Sequence, residues 1–553
     1  MEQKAKVIEL RAQNKRGEKT GGDGNRQQKL VFGENKTLKL DIREDPNLQK
    51  RYDEARVLFS ARTFTAFNAL KSDDLYVKAL LPKTYKKVKN KSVATMSRHT
   101  DQIADDIRRD LMGILQSEIA GKEQSTFGFS TDMYSSLNQY SIIALTVHFS
   151  DKDLNLWKFV LYAEYFGKGR RHTGANLQFA VETMFKEAGL DGVNVHRFLL
   201  MDNASNNKRC VTLFEGDHTV IWCTIHTIQL SIKDAFRIKV GQIRVSRLLK
   251  KCKDISNLVR RAEGRRDELK EACAATDTRF IMPVKPGKTR WNSTEGNVKS
   301  CLIIQPALTR LHTYDRSNTW SDTVPTVREF DILAAVHKCL QPIKIACKLW
   351  EADRKASLHQ VVKQLYNIKT ALGDLESSSA YVKTFAKNLR KQVEKRFARC
   401  GTSNPLLAVA HYLDPAEKGC VLHEYNGAYQ QTISAIKEMA QKFDPAPVQA
   451  QGEDQNDLVE DDEALTGTER LKKRRRISGN TPDPLPVASR VEIELERFEK
   501  LPLEQTDDPL DYWRENKGSF EILRKIAADI FSIPASSATS ERAFSAATRV
   551  SFI

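Results

Sequence analysis

The sequence predicts an α/β fold: a mixed sheet built within residues 123–238, with helices on its faces, followed by a long all-helical stretch. Three observations lead to it. Short β-type runs at Phe127–Tyr134, Tyr140–Phe149 and Trp157–Phe166 follow closely on one another, the first two separated by the turn-rich SSLNQ. Apolar runs at Arg197–Met201 and Thr219–Thr224 suit buried parallel strands reached through crossovers. After Phe236 the strand signals almost vanish.

Residues 1–45 are polar, basic and glycine-containing, which reads as a flexible arm. Residues 46–122 have a helical pattern; in MSRHTDQIADDIRRDLMGIL, Ile103, Ile107, Leu111 and Ile114 recur at helical spacing. The basic connector LPKTYKKVKNKS makes this helical N-terminal domain a candidate for DNA contact, although a solvated helix face is the commoner use of such charge. Within 123–238 a helix places Leu177, Ala180, Val181, Met184, Phe185 and Ala188 on one face and stops at Gly189. A further helix from about His226 to Phe236 completes the order β-β-β-α-β-α-β-α. Residues 239–442 are all helical in pattern, 443–490 form a linker that is first acidic and then basic, and 491–553 regain helical character.

Composition narrows the classes. The chain has 553 residues, 40% hydrophobic and 29% charged, as in a globular protein with room for about two to four cores. No apolar run approaches a membrane span and the N-terminus lacks a signal-peptide core, so neither a membrane partner nor secretion is expected. Nine scattered cysteines, none before Cys210, argue against a disulfide framework and for a reducing compartment. The net charge of +17 favours a polyanion, because neutralising phosphates releases condensed counterions.

Two carboxylates stand out. Asp132 lies in the first β-type run and Asp202 ends the fourth, positions where an unpartnered carboxylate is costly. If the two strands are neighbours, the carboxylates meet at one sheet edge and repel unless a cation sits between them. Hard divalent ions, Mg²⁺ above all, suit oxygen ligands. Spacing alone equally allows Asp132 to pair with a base and Asp202 to start an Asx turn or cap a helix. Cys223 and His226 have C-x-x-H spacing, but no second ligand pair lies nearby in the sequence, and no structural zinc is expected in the chain. Arg290 and Trp291 could hold a phosphate and stack on an unpaired base, or Trp291 could be buried among helices. Trp513, Phe520, Leu523, Ala527, Ile530 and Phe531 form an apolar stripe that periodicity reads as core. Lys472, Lys473, Arg474, Arg475 and Arg476 form a basic run in the linker that fits a nuclear import signal.

The stretches STDMYSS, HTGANL, LLMDNASNN and CTIHTIQLSIKDA, then TRWNST, HYLDPAEKG, DPLDYWREN and SIPASSATSERAFSAA, resemble the hAT transposase family in order along the chain. The resemblance implies an RNase H-like sheet interrupted by a large all-α insertion at 239–442. It implies an acidic metal-binding triad of Asp132, Asp202 and Glu541, the last 339 positions after Asp202 (541 minus 202). It assigns His226, Arg290 and Trp291 to DNA, and the region of Trp513, Phe520, Leu523 and Phe531 to subunit contacts in a dimer or higher oligomer. The implied activity is Mg²⁺- or Mn²⁺-dependent DNA cleavage and strand transfer in the nucleus. The alternative is a catalytically inactive, transposase-derived nuclear protein that binds DNA and dimerises. Two departures from the family pattern are expected to matter: no cysteine is available for an N-terminal BED zinc finger, and the chain stops soon after SERAFS, as a truncated end would.

Overall fold

The computed structural model describes residues 50, 53, 92–119, 125–135, 141–167, 171–191, 195–214, 218–237, 242–287, 291–315, 319–352, 354–378, 382–398, 405–441, 486–542 and 544. The N-terminal arm, Arg290 and the basic run Lys472–Arg476 lie outside them, as does the side chain of Trp291. The chain divides into two compact units, one of Met1–Phe149, Trp157–Cys223 and Ser536–Ile553, the other of Ser150–Leu156 and Thr224–Ala535.

The first unit is built on five strands: β1 (Ser125–Ser135), β2 (Ser141–Ser150), β3 (Leu156–Tyr165), β4 (Val195–Met201) and β5 (His218–Trp222). Their order across the sheet is β3-β2-β1-β4-β5. β1 runs antiparallel to β2 and parallel to β4, and β4 parallel to β5, so the sheet is mixed and β1 is its centre. Strand bounds match the periodicity to within a residue or two, except that β5 ends at Trp222. Thr224, β-branched and strand-like in sequence, instead opens the helix Thr224–Arg237; its amide and hydroxyl both donate to the Ala535 carbonyl, at 3.1 and 2.7 Å.

Among the described residues this unit includes the helices α1 (Val93–Ile119), α2 (Gly174–Glu187) and α3 (Ser205–Val211). The core joins Phe127, Phe129, Phe149 and Phe159 of the sheet to Leu177, Val181, Met184 and Phe185 of α2. Leu111 and Leu115 bring α1 into the same core. The sequence groups this helix with the N-terminal region; here its apolar stripe seals the sheet. Thr173 caps α2 by accepting from the Asn176 amide at 3.3 Å. Glycine is required at 174, where a Cβ would lie 2.7 Å from Cβ of Arg209 and 2.8 Å from the Cys210 amide, so α2 approaches the α3 backbone directly.

The last part of this unit, residues 536–544, returns to the sheet from far along the sequence. The Ser540 hydroxyl hydrogen-bonds that of Ser130 on β1 at 3.2 Å, and Ser130 in turn bonds Thr146 on β2. Thr146 lies 2.9 Å from Nε2 of His148, also on β2. All four side chains are fully buried. Phe544 stacks on Tyr134, centroids 5.6 Å apart at 19°, and Ser537 donates its amide and hydroxyl to the Cys223 sulfur.

The second unit is helical. Its longest helix, Val327–Trp350, starts with a capping box in which Thr326 and Glu329 exchange hydrogen bonds. The helices Val487–Lys500, Pro509–Glu515 and Ile522–Ser532 close the unit around Phe498, whose ring lies 5.2–6.1 Å from those of Tyr412, Tyr512, Trp513 and Phe520. The Glu494 carboxylate accepts from the amides of Glu521, Ile522 and Leu523, satisfying the open N-terminus of the last helix. Trp513, Phe520, Leu523 and Phe531 are 0–1% exposed, which is the interior position that their periodicity predicts. Among the described residues no helix is long and apolar enough to cross a membrane.

Two outcomes follow from the packing. Phe498→Ala is expected to cost about 3–5 kcal/mol in denaturant unfolding of the intact chain. Ile493→Ala, half exposed on the same helix, is expected to cost within about 0.5 kcal/mol. Burial first, then the charges of Lys158 and Arg542, holds His148 well below the usual imidazole range. Folded His148 therefore stays neutral while the unfolded chain takes up a proton below about pH 6.5, so stability is full above that pH and falls as pH drops beneath it. The slope of unfolding free energy between about pH 6.5 and 5 is expected to shrink by one proton, about 1.4 kcal/mol per pH unit, in His148→Gln. An unchanged slope would show that His148 is not held neutral.

Candidate active site at the carboxyl edge of the sheet

The pairing of β1 with β4 has a constant offset: Ser125 faces Val195 and Ser130 faces Leu200, 70 positions apart in each case (195 minus 125, 200 minus 130). The pairing ends there; Asp132 lies two residues past it on β1, and Asp202 two residues past it, directly after the end of β4. Both aspartates thus follow the carboxyl end of the β1–β4 pairing, the end at which open α/β sheets carry their ligands. β1 continues past the last β4 pair to Ser135, supported on its other side by β2, with Asp132 opposite Ala144.

Glu541 reaches the same edge through the chain's return. Residues 538–542 are helical, and the Glu541 amide donates to the Ser537 carbonyl at 3.2 Å. The neighbouring Ser540 touches Ser130, two residues before Asp132, and Phe544 stacks on Tyr134, two residues after it. Ser130, Asp132 and Tyr134 alternate along a strand and so share one face of β1. The helical segment lies along that face, with Glu541 between its two anchors.

Local bonds orient the aspartates. Oδ1 of Asp132 accepts from the Met133 amide at 2.8 Å. Oδ1 of Asp202 accepts from the Ala204 amide at 3.0 Å and from the Asn207 side-chain amide, a turn that leads into α3. α3 carries exposed Lys208 and Arg209 directly after this turn. Asp132, Asp202 and Glu541 are each half-buried. As a donor set they are all oxygen and all anionic, which suits a hard divalent cation. They are more widely spread than a single-ion cage: among the described residues only His411, Glu417 and Cys420 bring three ligand atoms within 4.8 Å of one another.

The other sequence candidates fall elsewhere. His226 is half-buried in the helix Thr224–Arg237, within the helical unit. Trp291 opens the helix Trp291–Ile303. Sequence reasoning missed Ser130, Thr146, His148 and Ser540, which hold the returning segment in place. The one available signal was polar Thr146 and His148 inside the otherwise apolar IIALTVHF.

The model of the hAT family C-terminal dimerisation region matches residues 494–552. Two proteins of Zea mays, named as the AC and AC9 transposases, are 24% and 23% identical to the chain over 463 and 486 residues. Each alignment covers 77% of this chain, and 54% and 55% of the maize proteins. The human zinc finger BED domain-containing protein 4 is 21% identical over 356 residues, 63% of this chain and 28% of its own length. The chain thus spans about half the length of the maize relatives it matches. The chain thus carries the hAT dimerisation region towards its C-terminal end and has distant homology to the maize hAT transposases over most of its length.

Proposed function

We propose that the chain is the catalytic portion of a DNA transposase, with an RNase H-like sheet interrupted by the helical insertion and with Asp132, Asp202 and Glu541 as its catalytic triad. What supports this reading is the position of Asp132 and Asp202, each two residues past the last β1–β4 pair, with the Glu541 segment anchored to Ser130 and Tyr134 on either side of Asp132. The three carboxylates would hold Mg²⁺ or Mn²⁺, which when bound activates water or a 3′-hydroxyl and neutralises charge on the leaving oxygen. The chain's own part is to orient. The turn at Asp202 fixes that carboxylate, the Met133 amide fixes Asp132, and the Ser540 and Phe544 anchors set the position of Glu541.

DNA is the substrate class that suits the net charge of +17, and exposed Lys208 and Arg209 beside the Asp202 turn are suited to backbone phosphates. His226, Arg290 and Trp291 are assigned to DNA contact, Trp291 to stacking on an unpaired base. The match to the dimerisation region supports a homodimer or larger assembly. Lys472, Lys473, Arg474, Arg475 and Arg476 would direct the chain to the nucleus, where its substrate lies.

A second reading, a DNA-binding dimer without catalysis, is favoured by one observation: Oδ1 of Asp202 is already engaged by Ala204 and Asn207, as a purely structural turn residue would be. Cleavage of cognate end DNA separates the two. In Mg²⁺ or Mn²⁺ the wild-type chain is expected to nick and join such DNA. Asp132→Asn, Asp202→Asn and Glu541→Gln are expected to lose rate by roughly a hundredfold or more while still retaining DNA on a gel. Metal-independent cleavage, or rates unchanged in all three variants, would refute the triad; retention without cleavage by the wild type would favour the second reading.

A further inference from the structure

We propose that His411, Glu417 and Cys420 form a zinc site in the helical unit, separate from the acidic edge of the sheet. One ligand atom from each lies within 4.8 Å of the other two, the only such group among the described residues. His411 sits in the last turn of the helix Pro405–Tyr412, and Cys420 opens the 3₁₀ helix Cys420–Glu424. The loop between them is tied tightly. Glu417 and Lys418 donate amides to the Asp414 carbonyl, Gly419 donates to His411 and Cys420 to Glu417, at 2.7–3.2 Å. Lys418 and Gly419 both have positive φ, 44° and 70°. A Cβ at 419 would lie 2.9 Å from Leu422, so glycine is what lets the loop turn back and present Glu417 and Cys420 to His411.

The second observation is the imidazole itself. His411 is fully buried, yet neither ring nitrogen has a hydrogen-bond partner. An orphaned polar atom in a protein interior is destabilising. A metal ion bound to one of the two nitrogens satisfies that one. The donor set selects the ion: imidazole nitrogen, thiolate sulfur and carboxylate oxygen together suit zinc, whereas magnesium and calcium take oxygen alone. Cys420 is the one exposed thiol among the described cysteines, so the site opens to solvent on that side and leaves a fourth position for water.

The groups now filling the site can give way. The Cys420 thiol donates to Oε2 of Glu417 at 3.1 Å, and Lys363 donates to Oε1. On binding, the thiol proton passes to solvent and the zinc–sulfur bond replaces the S–H bond. The Lys363 side chain is 37% exposed and can swing into water as the metal takes over the charge of Glu417. The loop is also fastened to the start of the dimerisation region, since Lys418 donates to the Phe498 and Leu501 carbonyls at 2.5 and 2.6 Å. Zinc here would stiffen that attachment.

Cobalt titration of the metal-free, full-length chain tests the site. One Co²⁺ per chain is expected to produce a thiolate-to-cobalt charge-transfer band that Zn²⁺ abolishes. The band is expected to disappear in Cys420→Ser, whose exposed position leaves the fold intact, and to persist in Asp202→Asn. Zn²⁺ is also expected to slow alkylation of Cys420, read by peptide mass spectrometry, by at least about tenfold. Cobalt bound without a thiolate band, a band unchanged in Cys420→Ser, or alkylation indifferent to zinc would each overturn the assignment.

Discussion

The hydrogen bond between Ser130 and Ser540 joins residues 410 positions apart (540 minus 130), and the candidate site rests on it. Loop-closure entropy grows only logarithmically with length, so a long excursion is affordable if the closing contact is good. Here it is a buried chain of four side chains, Ser540, Ser130, Thr146 and His148, backed by the stack of Phe544 on Tyr134. A buried polar network is stabilising only when its members are satisfied and costly when broken. The returning segment therefore has few acceptable registers on the strand. A slip of one residue would separate the hydroxyls and the stack together.

The helical unit solves a different problem. Its C-terminal helices are short, 14, 7 and 11 residues, and would be marginal alone. Phe498 and its ring of aromatics supply the burial, and Glu494 satisfies the amides that the last helix leaves open. Trp513, Phe520, Leu523 and Phe531 are spent on this interior. Any partner contact made by the region matched to dimerisation must use its exposed side chains, such as Leu501 and Leu503. The interior residues act on such a contact only by fixing the helices that carry it.

Much of the sheet was legible because each strand is a short apolar run bounded by turn residues. Tyr140–Phe149 and β2 differ by one residue at each end. Thr219–Thr224 misled at its end because a β-branched residue also serves as a helix-opening hydroxyl. The register that puts Asp132 and Asp202 each two residues past the last β1–β4 pair was not legible, since register between strands 70 residues apart is set by pairing, not by either strand's own pattern. Glu541 had no local signal at all, and only family likeness singled it out. The His411–Glu417–Cys420 group was hidden for a backbone reason. Offsets of six and nine residues fall on one point only if the chain reverses through consecutive positive-φ residues, and Lys418 is not a residue that announces one.

Asp202 shows how the structural and chemical readings of one residue coexist. As a turn former it accepts from Ala204 and Asn207, both through Oδ1. A carboxylate offers about four lone-pair sites on two oxygens. The bonds that make Asp202 a turn residue are thus the same bonds that would aim it as a ligand, with no rearrangement needed when a cation arrives. Asn207, buried and immediately after the turn, is then a positioning residue whose amide keeps the carboxylate from rotating. A local motif that is sufficient to explain the aspartate structurally would equally serve its use as a ligand, because an unrestrained carboxylate at a sheet edge would have to be ordered at the moment of binding.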